Sequence, residues 1–117
     1  MESLNVTTAR SGDAIHISLE GELDIASSPR IEEALHEAEG QGPAVILLDL
    51  RKLEFMDSTG LRTILAADAR AREAGRRFVV VRGDENIQRV FEVTRLDERV
   101  EIVDDPAEVG SGEVGSG

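Results

Sequence analysis

The most constraining feature of this chain is a continuous apolar segment, Val45-Ile46-Leu47-Leu48-Asp49-Leu50, followed closely by Asp57-Ser58-Thr59-Gly60-Leu61. A segment that is apolar at nearly every position predicts a strand covered on both faces, as in α/β sheets. The second segment opens a predicted helix, so Ser58 and Thr59 should lie at its N-terminus, where unpaired backbone N–H groups favour negative charge. A serine there is either a helix cap or a residue that accepts a phosphate without disrupting the fold.

Strand and helix patterns alternate along the rest of the chain. Alternating apolar residues predict an early hairpin, and Ser28-Pro29 predicts a helix with Ser28 as its N-cap and Pro29 as its first residue. Further strands are predicted at residues 44–50, 78–81 and near 100–103. Further helices are predicted at residues 58–74, ending at Gly75, and after Asp84. Such alternation indicates right-handed crossovers and a mostly parallel sheet, with the hairpin at one edge.

The C-terminus contains a direct repeat. Glu108-Val109-Gly110-Ser111-Gly112 recurs as Glu113-Val114-Gly115-Ser116-Gly117. Glycine and serine at this density bury too little surface to offset the entropy lost on ordering. We therefore expect one folded domain over residues 1–107, closing with a short helical turn at 105–108, and a flexible tail over residues 108–117.

Composition and charge argue against several classes of function. The net charge of −11 and the lack of a basic patch argue against nucleic-acid binding. The arginines between residues 70 and 77 fall at a predicted helix C-terminus, where cations complement the helix dipole. The longest apolar run, Ala44 to Leu48, is far shorter than the ~20 residues of a membrane span. With no cysteine and no signal-peptide pattern, we expect a cytoplasmic protein that does not bind a membrane.

Enzyme signatures are weak. Ser58 has Gly60 after it but Met56 where a nucleophile elbow needs its first glycine, and His16 and His36 fit no triad pattern. Asp57-Ser58-Thr59-Gly60 has one residue too many for an aspartyl-protease signature, and it has no second copy.

Cofactor and metal signatures are weak as well. Asp24, Asp49 and Asp57 supply candidate oxygen ligands but no calcium-loop spacing, and no phosphate-binding glycine loop is present. We therefore predict no catalytic site, no cofactor and no metal.

Three segments together resemble the single-domain STAS family, specifically the bacterial anti-sigma factor antagonists. They are Gly21-Glu22-Leu23-Asp24 before a helix, Ile46–Leu50 followed by Phe55-Met56-Asp57-Ser58-Thr59-Gly60-Leu61, and Arg89-Val90-Phe91-Glu92-Val93-Thr94-Arg95-Leu96-Asp97. The resemblance covers roughly residues 4–104. It implies an α/β STAS fold, with a mixed, mostly parallel sheet of four to five strands and helices largely on one side.

The resemblance also implies a regulatory switch. A member of this family binds an anti-sigma factor that is also a serine kinase, and a sigma factor is thereby released. The kinase phosphorylates the serine matching Ser58, which switches the protein off, and a serine phosphatase reverses the mark. We expect a monomer or weak homodimer. The partner-binding residues expected from the motif and the loop beside it are Asp24, Ser27, Met56, Asp57, Ser58, Thr59, Gly60, Leu61 and Arg62.

Two alternatives use the same fold. A STAS module can serve as a scaffold of the stressosome type, or as an accessory to lipid transport, without a phosphoserine switch. The second alternative is a small-ligand-binding STAS domain. Self-association would favour the scaffold, and a bound nucleotide or lipid would favour the ligand-binding domain.

Overall fold

A computed structural model describes residues 4–109, and across them five strands form one sheet in the order β1-β2-β3-β4-β5. The strands are β1 (Leu4–Ser11), β2 (Ala14–Leu23), β3 (Val45–Met56), β4 (Arg77–Val81) and β5 (Glu101–Val103). β1 runs antiparallel to β2, and the other neighbours are parallel. The mixed, mostly parallel sheet with a hairpin at one edge is confirmed.

Within the same residues the helices are α1 (Ser28–Gly40), α2 (Ser58–Ala74) and α3 (Glu85–Val93), followed by a 3-10 turn at Leu96–Glu98 and helical residues 106–109. The predicted bounds of α2 are confirmed. Gly75 ends α2 in the left-handed region (φ 70°), and the Asp84 side chain caps α3 through the Ile87 N–H.

The two faces of the sheet carry different cores. Alternation in β2 turns Ile15, Ile17 and Leu19 toward the main core, which also contains the buried residues of α1, α2 and α3. On the opposite face Val45, Leu47, Val79 and Val81 form a smaller apolar cluster, covered in part by Val109. The helices α1–α3 therefore pack on one side, as expected.

β3 extends far beyond its neighbour β4. Its first five residues, 45–49, pair with 77–81 of β4, and the remainder continues alongside β2 as far as Met56. Two register shifts interrupt that pairing, between Ser18 and Glu20 and between Gly21 and Glu22. β2 and β3 consequently end side by side, with Leu23 opposite Met56.

The residues after β5 pack against the fold. Asp105 accepts a hydrogen bond from the Ala107 N–H (2.8 Å), and Glu108 accepts one from the Asp105 N–H (3.1 Å), which is a capping box with Pro106 as the first helical residue. Val109 is 2 % exposed. Glu108 and Val109, which the sequence analysis placed in the tail, are therefore tied to the domain, while residues 110–117 lie outside the described part of the chain.

Candidate functional site

The candidate site forms where the carboxyl ends of β2 and β3 meet the start of α2. The Asp57 N–H donates a hydrogen bond to the Leu23 carbonyl (3.1 Å), directly after the Leu23–Met56 pair that ends the two strands. The loop beginning at Asp24 and the helix beginning at Ser58 are thus joined by the backbone. The expected proximity of the Asp24 loop to Ser58 follows from this junction.

Asp57, rather than Ser58, caps α2. The backbone of Asp57 is extended (φ −100°, ψ −174°), and its carboxylate accepts hydrogen bonds from the Thr59 and Gly60 N–H groups, each at 3.0 Å. Ser58 is the first helical residue and is exposed. The interpretation of Ser58 as a cap is therefore wrong, because Asp57 precedes the helix and its carboxylate already accepts from those donors. The Ser58 hydroxyl forms no hydrogen bond with any other part of residues 4–109.

Gly60 sets how closely α2 approaches β2. A Cβ atom at this position would lie 2.7 Å from Leu23 Cγ, 2.9 Å from Leu23 Cδ2 and 3.1 Å from Met56 Cγ. The two Leu23 distances are shorter than Cβ contacts in real structures, so glycine allows the first turn of α2 to rest on Leu23. This contact fixes the height of Ser58 above the sheet.

The loop between β2 and α1 is held by its own polar side chains. Asp24 Oδ1 accepts hydrogen bonds from the N–H groups of Ala26 (3.1 Å) and Ser27 (3.0 Å) and from the Ser27 hydroxyl (3.1 Å). Ser27 Oγ also lies 2.9 Å from both the Glu22 carbonyl and the Asp24 N–H. α1 begins one residue earlier than an N-cap at Ser28 would place it. Ser27 occupies the cap position without a capping bond, because its hydroxyl serves the loop.

The predicted site residues differ in their exposure to solvent. Ser58 and Arg62 are exposed, and Asp24, Asp57 and Thr59 are partly exposed. The other four are buried beneath them: Ser27 (4 %), Met56 (5 %), Leu61 (8 %) and Gly60. Burial removes these four from direct contact with a rigid partner and leaves them a supporting role under the exposed residues.

Two apolar residues beside the site were not singled out from the sequence. Ile25 is 74 % exposed in the Asp24 loop, and Phe55 is 48 % exposed near the end of β3. An isoleucine between a strand end and a helix cap, outside any periodic apolar pattern, is the signal that would have identified Ile25. Phe55 pairs with Glu22, while the next pair, Leu23–Met56, turns into the core. Phe55 therefore projects from the sheet face opposite α2.

A separate polar cluster occupies that opposite face. Asp49 is 5 % exposed and accepts hydrogen bonds from Arg51, with Nη2 at 2.7 Å from Oδ2, and faces His16 Nε2 at 2.9 Å. Burial alone would raise the pKa of Asp49, but the hydrogen bonds from Arg51 and His16 outweigh it and hold that pKa below its ordinary value. A surface cavity of about 430 Å³ lies beside this cluster, lined by Thr7, Ser18 and Lys52 among others.

The three aspartates considered as metal ligands do not converge. Asp24 and Asp57 serve their own loop and helix, and Asp49 is neutralised by Arg51. Across residues 4–109, no group of three or more histidine, aspartate or glutamate side chains is placed to hold a metal ion. Over the same range, no helix combines the length and apolar character needed to cross a membrane.

Comparison with known proteins identifies the family. The family described as "Mlab, STAS domain" matches residues 6–104. The chain belongs to the STAS family. The STAS chain is 32% identical over 93 residues to an anti-sigma-B factor antagonist of Listeria monocytogenes, covering 80% of this chain and 82% of the relative. The resemblance inferred from the three sequence segments is confirmed.

Solved structures share the fold. An anti-sigma factor antagonist from Mycobacterium paratuberculosis superposes with a TM-score of 0.84 at 23% identity, covering 94% of this chain and 93% of the other. SpoIIAA from Bacillus, in its phosphorylated form, superposes with a TM-score of 0.72 at 20% identity, covering 92% of this chain and 98% of the other.

Proposed function

We propose that this STAS protein is an anti-sigma factor antagonist controlled by phosphorylation of Ser58. In its unphosphorylated form it binds an anti-sigma factor that is also a serine kinase, and a sigma factor is released. The kinase transfers phosphate to Ser58 and thereby ends the interaction, and a serine phosphatase restores the active form. The protein acts as a cytoplasmic regulator rather than as an enzyme.

The exposure of Ser58 carries this proposal. Its hydroxyl projects from the first turn of a helix whose cap, Asp57, already uses the adjacent N–H groups. A kinase can therefore reach the hydroxyl without displacing a structural hydrogen bond. Thr59, which is partly buried, is the less accessible hydroxyl of the pair. Relatives named as anti-sigma factor antagonists support the same role.

Charge accounts for the switch. A phosphate adds about −1.5 to −2 charges. A kinase that phosphorylates Ser58 must first hold the γ-phosphate of ATP against this hydroxyl. After transfer, the phosphoserine lies between the anionic phosphates of ADP on the kinase and the Asp57 carboxylate on this chain. A charge buried there without a partner loses hydration that nothing replaces, so the complex weakens.

Phosphate transfer and binding assays test the proposal. Each serine-kinase-type anti-sigma factor of the source bacterium is purified and incubated with this protein and ATP. Mass spectrometry should find one phosphate, on Ser58. Ser58→Ala should abolish it, and Thr59→Ala, the matched control, should retain it. By calorimetry, Ser58→Ala should bind the partner and Ser58→Glu should bind more weakly. Phosphate mainly on Thr59, or no binding to any of these kinases, would contradict the proposal.

A further inference from the structure

Ile25 is an apolar residue of the candidate site with an unusually exposed side chain. It is 74 % exposed although it follows directly on Leu23 and Asp24, which are buried and partly buried. Scattered exposed apolar residues are ordinary on protein surfaces. Ile25 differs because the backbone on both sides of it is tied down.

The loop presents Ile25 rigidly. Asp24 Oδ1 accepts from the N–H of Ala26, on one side of Ile25, and from the N–H and hydroxyl of Ser27. The Ser28 N–H donates to the Asp24 carbonyl at 2.8 Å, which closes the turn. A loop backbone that is already ordered loses little entropy when a partner covers it, so more of the contact energy of Ile25 remains for binding.

Ile25 lies close enough to Ser58 for a single protein interface to cover both residues. The Leu23 carbonyl bonds to the Asp57 N–H at 3.1 Å, so chain geometry limits the Cα atoms of Ile25 and Ser58 to at most about 18 Å apart. A standard protein interface covers about 800 Å² on each partner and is roughly 30 Å across. An interface of that diameter has room for both Ile25 and Ser58.

We propose that Ile25 is the apolar anchor of the partner-binding surface and enters an apolar pocket on the kinase, with Asp24 and Ser27 as positioning residues that hold it. The inference rests on the proposed function. In the two segments that meet at the site, residues 22–30 and 54–62, carboxylates outnumber basic side chains even without Asp24, so we infer that basic groups border the pocket. The other charged residues of these segments are Glu22, Glu54, Asp57, Arg30 and Arg62. Asp24 itself acts through loop geometry and not through its charge, because its Oδ1 atom is occupied by the Ala26 and Ser27 donors.

Four variants test the anchor against the purified partner kinase. Truncating Ile25 to alanine removes three carbon atoms from the interface, so Ile25→Ala should weaken binding at least tenfold. Val93→Ala is the matched control, because Val93 is 76 % exposed at the far end of α3, and it should change affinity less than twofold. Asp24→Asn keeps the accepting oxygen and should retain affinity. Asp24→Ala loses that oxygen and should weaken binding at least fivefold.

Each outcome bears on a separate claim. If the wild type binds and Ile25→Ala binds equally well, Ile25 is not the anchor, although the proposed function stands. If Asp24→Asn is as weak as Asp24→Ala, the aspartate acts through its charge and its positioning role is overturned. If the wild type binds no kinase, the proposed function itself fails. Thermal unfolding of each variant, with hydrogen exchange of the Ala26 and Ser27 amides, shows whether the loop has loosened while the domain remains folded.

Discussion

Gly60→Ala tests whether the close approach of α2 to β2 holds the site in place. Alanine favours a helix over glycine by at most about 1 kcal/mol. Against that gain, the new methyl group would lie 2.7 Å from Leu23 Cγ and 2.9 Å from Leu23 Cδ2. Leu23 is 0 % exposed, so any shift of its side chain must displace other core residues. Overpacking of this kind costs about 1–3 kcal/mol, so we expect a net loss of about 1 kcal/mol.

Urea unfolding followed by circular dichroism measures this loss. Gly40→Ala is the matched control, since Gly40 is also helical and no atom outside its own helix neighbourhood lies within 4 Å of its Cβ position. That variant should be as stable as the wild type or slightly more stable. In a Leu23→Ala background, Gly60→Ala should cost little, because the clashing atoms are gone. A Gly60→Ala protein as stable as the Gly40→Ala control would refute the packing argument.

Three further predictions concern other parts of the molecule. Phosphorylation of Ser58 should change the free energy of unfolding of the isolated protein by no more than about 1 kcal/mol, the range of helix-end charge effects, as compared in urea titrations of both forms. The pKa of Asp49 is lower in the folded protein than in the unfolded chain, so the ionised carboxylate stabilises the fold. This stabilisation is fully present above the unfolded pKa of about 3.9 and is lost as pH falls through the folded pKa. Asp49→Asn should therefore flatten the acid limb of stability measured below about pH 5. Val109→Ala should cost about 1–2 kcal/mol in thermal or urea unfolding. Deletion of residues 110–117 should cost nothing measurable, because a segment so rich in glycine and serine has little apolar surface to bury.

The elements that local chemistry specifies were predictable from the sequence. α2 begins and ends where its Asp57-Ser58 start and Gly75 stop place it, and Asp84 caps α3. The apolar run at 45–50 predicts a strand covered on both faces, and every residue of this run is buried in the structure. In each case the signal and its physical partner lie within a few residues of one another.

Features that depend on distant contacts were not predictable in the same way. Asp57, which caps α2 in place of Ser58, has an extended backbone, and its N–H is bonded to the carbonyl of Leu23, a residue far away in the sequence. The length of β3 beyond β4 depends on its pairing with β2 through two register shifts. Likewise, the end of the packed domain depends on Val109 finding the far face of the sheet.

The candidate site is therefore a loop and a helix start that meet at the end of β2, and not a single sequence motif. The Asp57–Leu23 hydrogen bond and the Gly60–Leu23 contact fix the start of α2 on the end of β2, and the Asp24 loop continues from the same strand end. Because the supporting groups are already satisfied within the fold, a modification at the exposed Ser58 hydroxyl has no structural bond to break. Its effect falls on whatever covers the surface, which is the property required of a switch that controls binding without unfolding the protein.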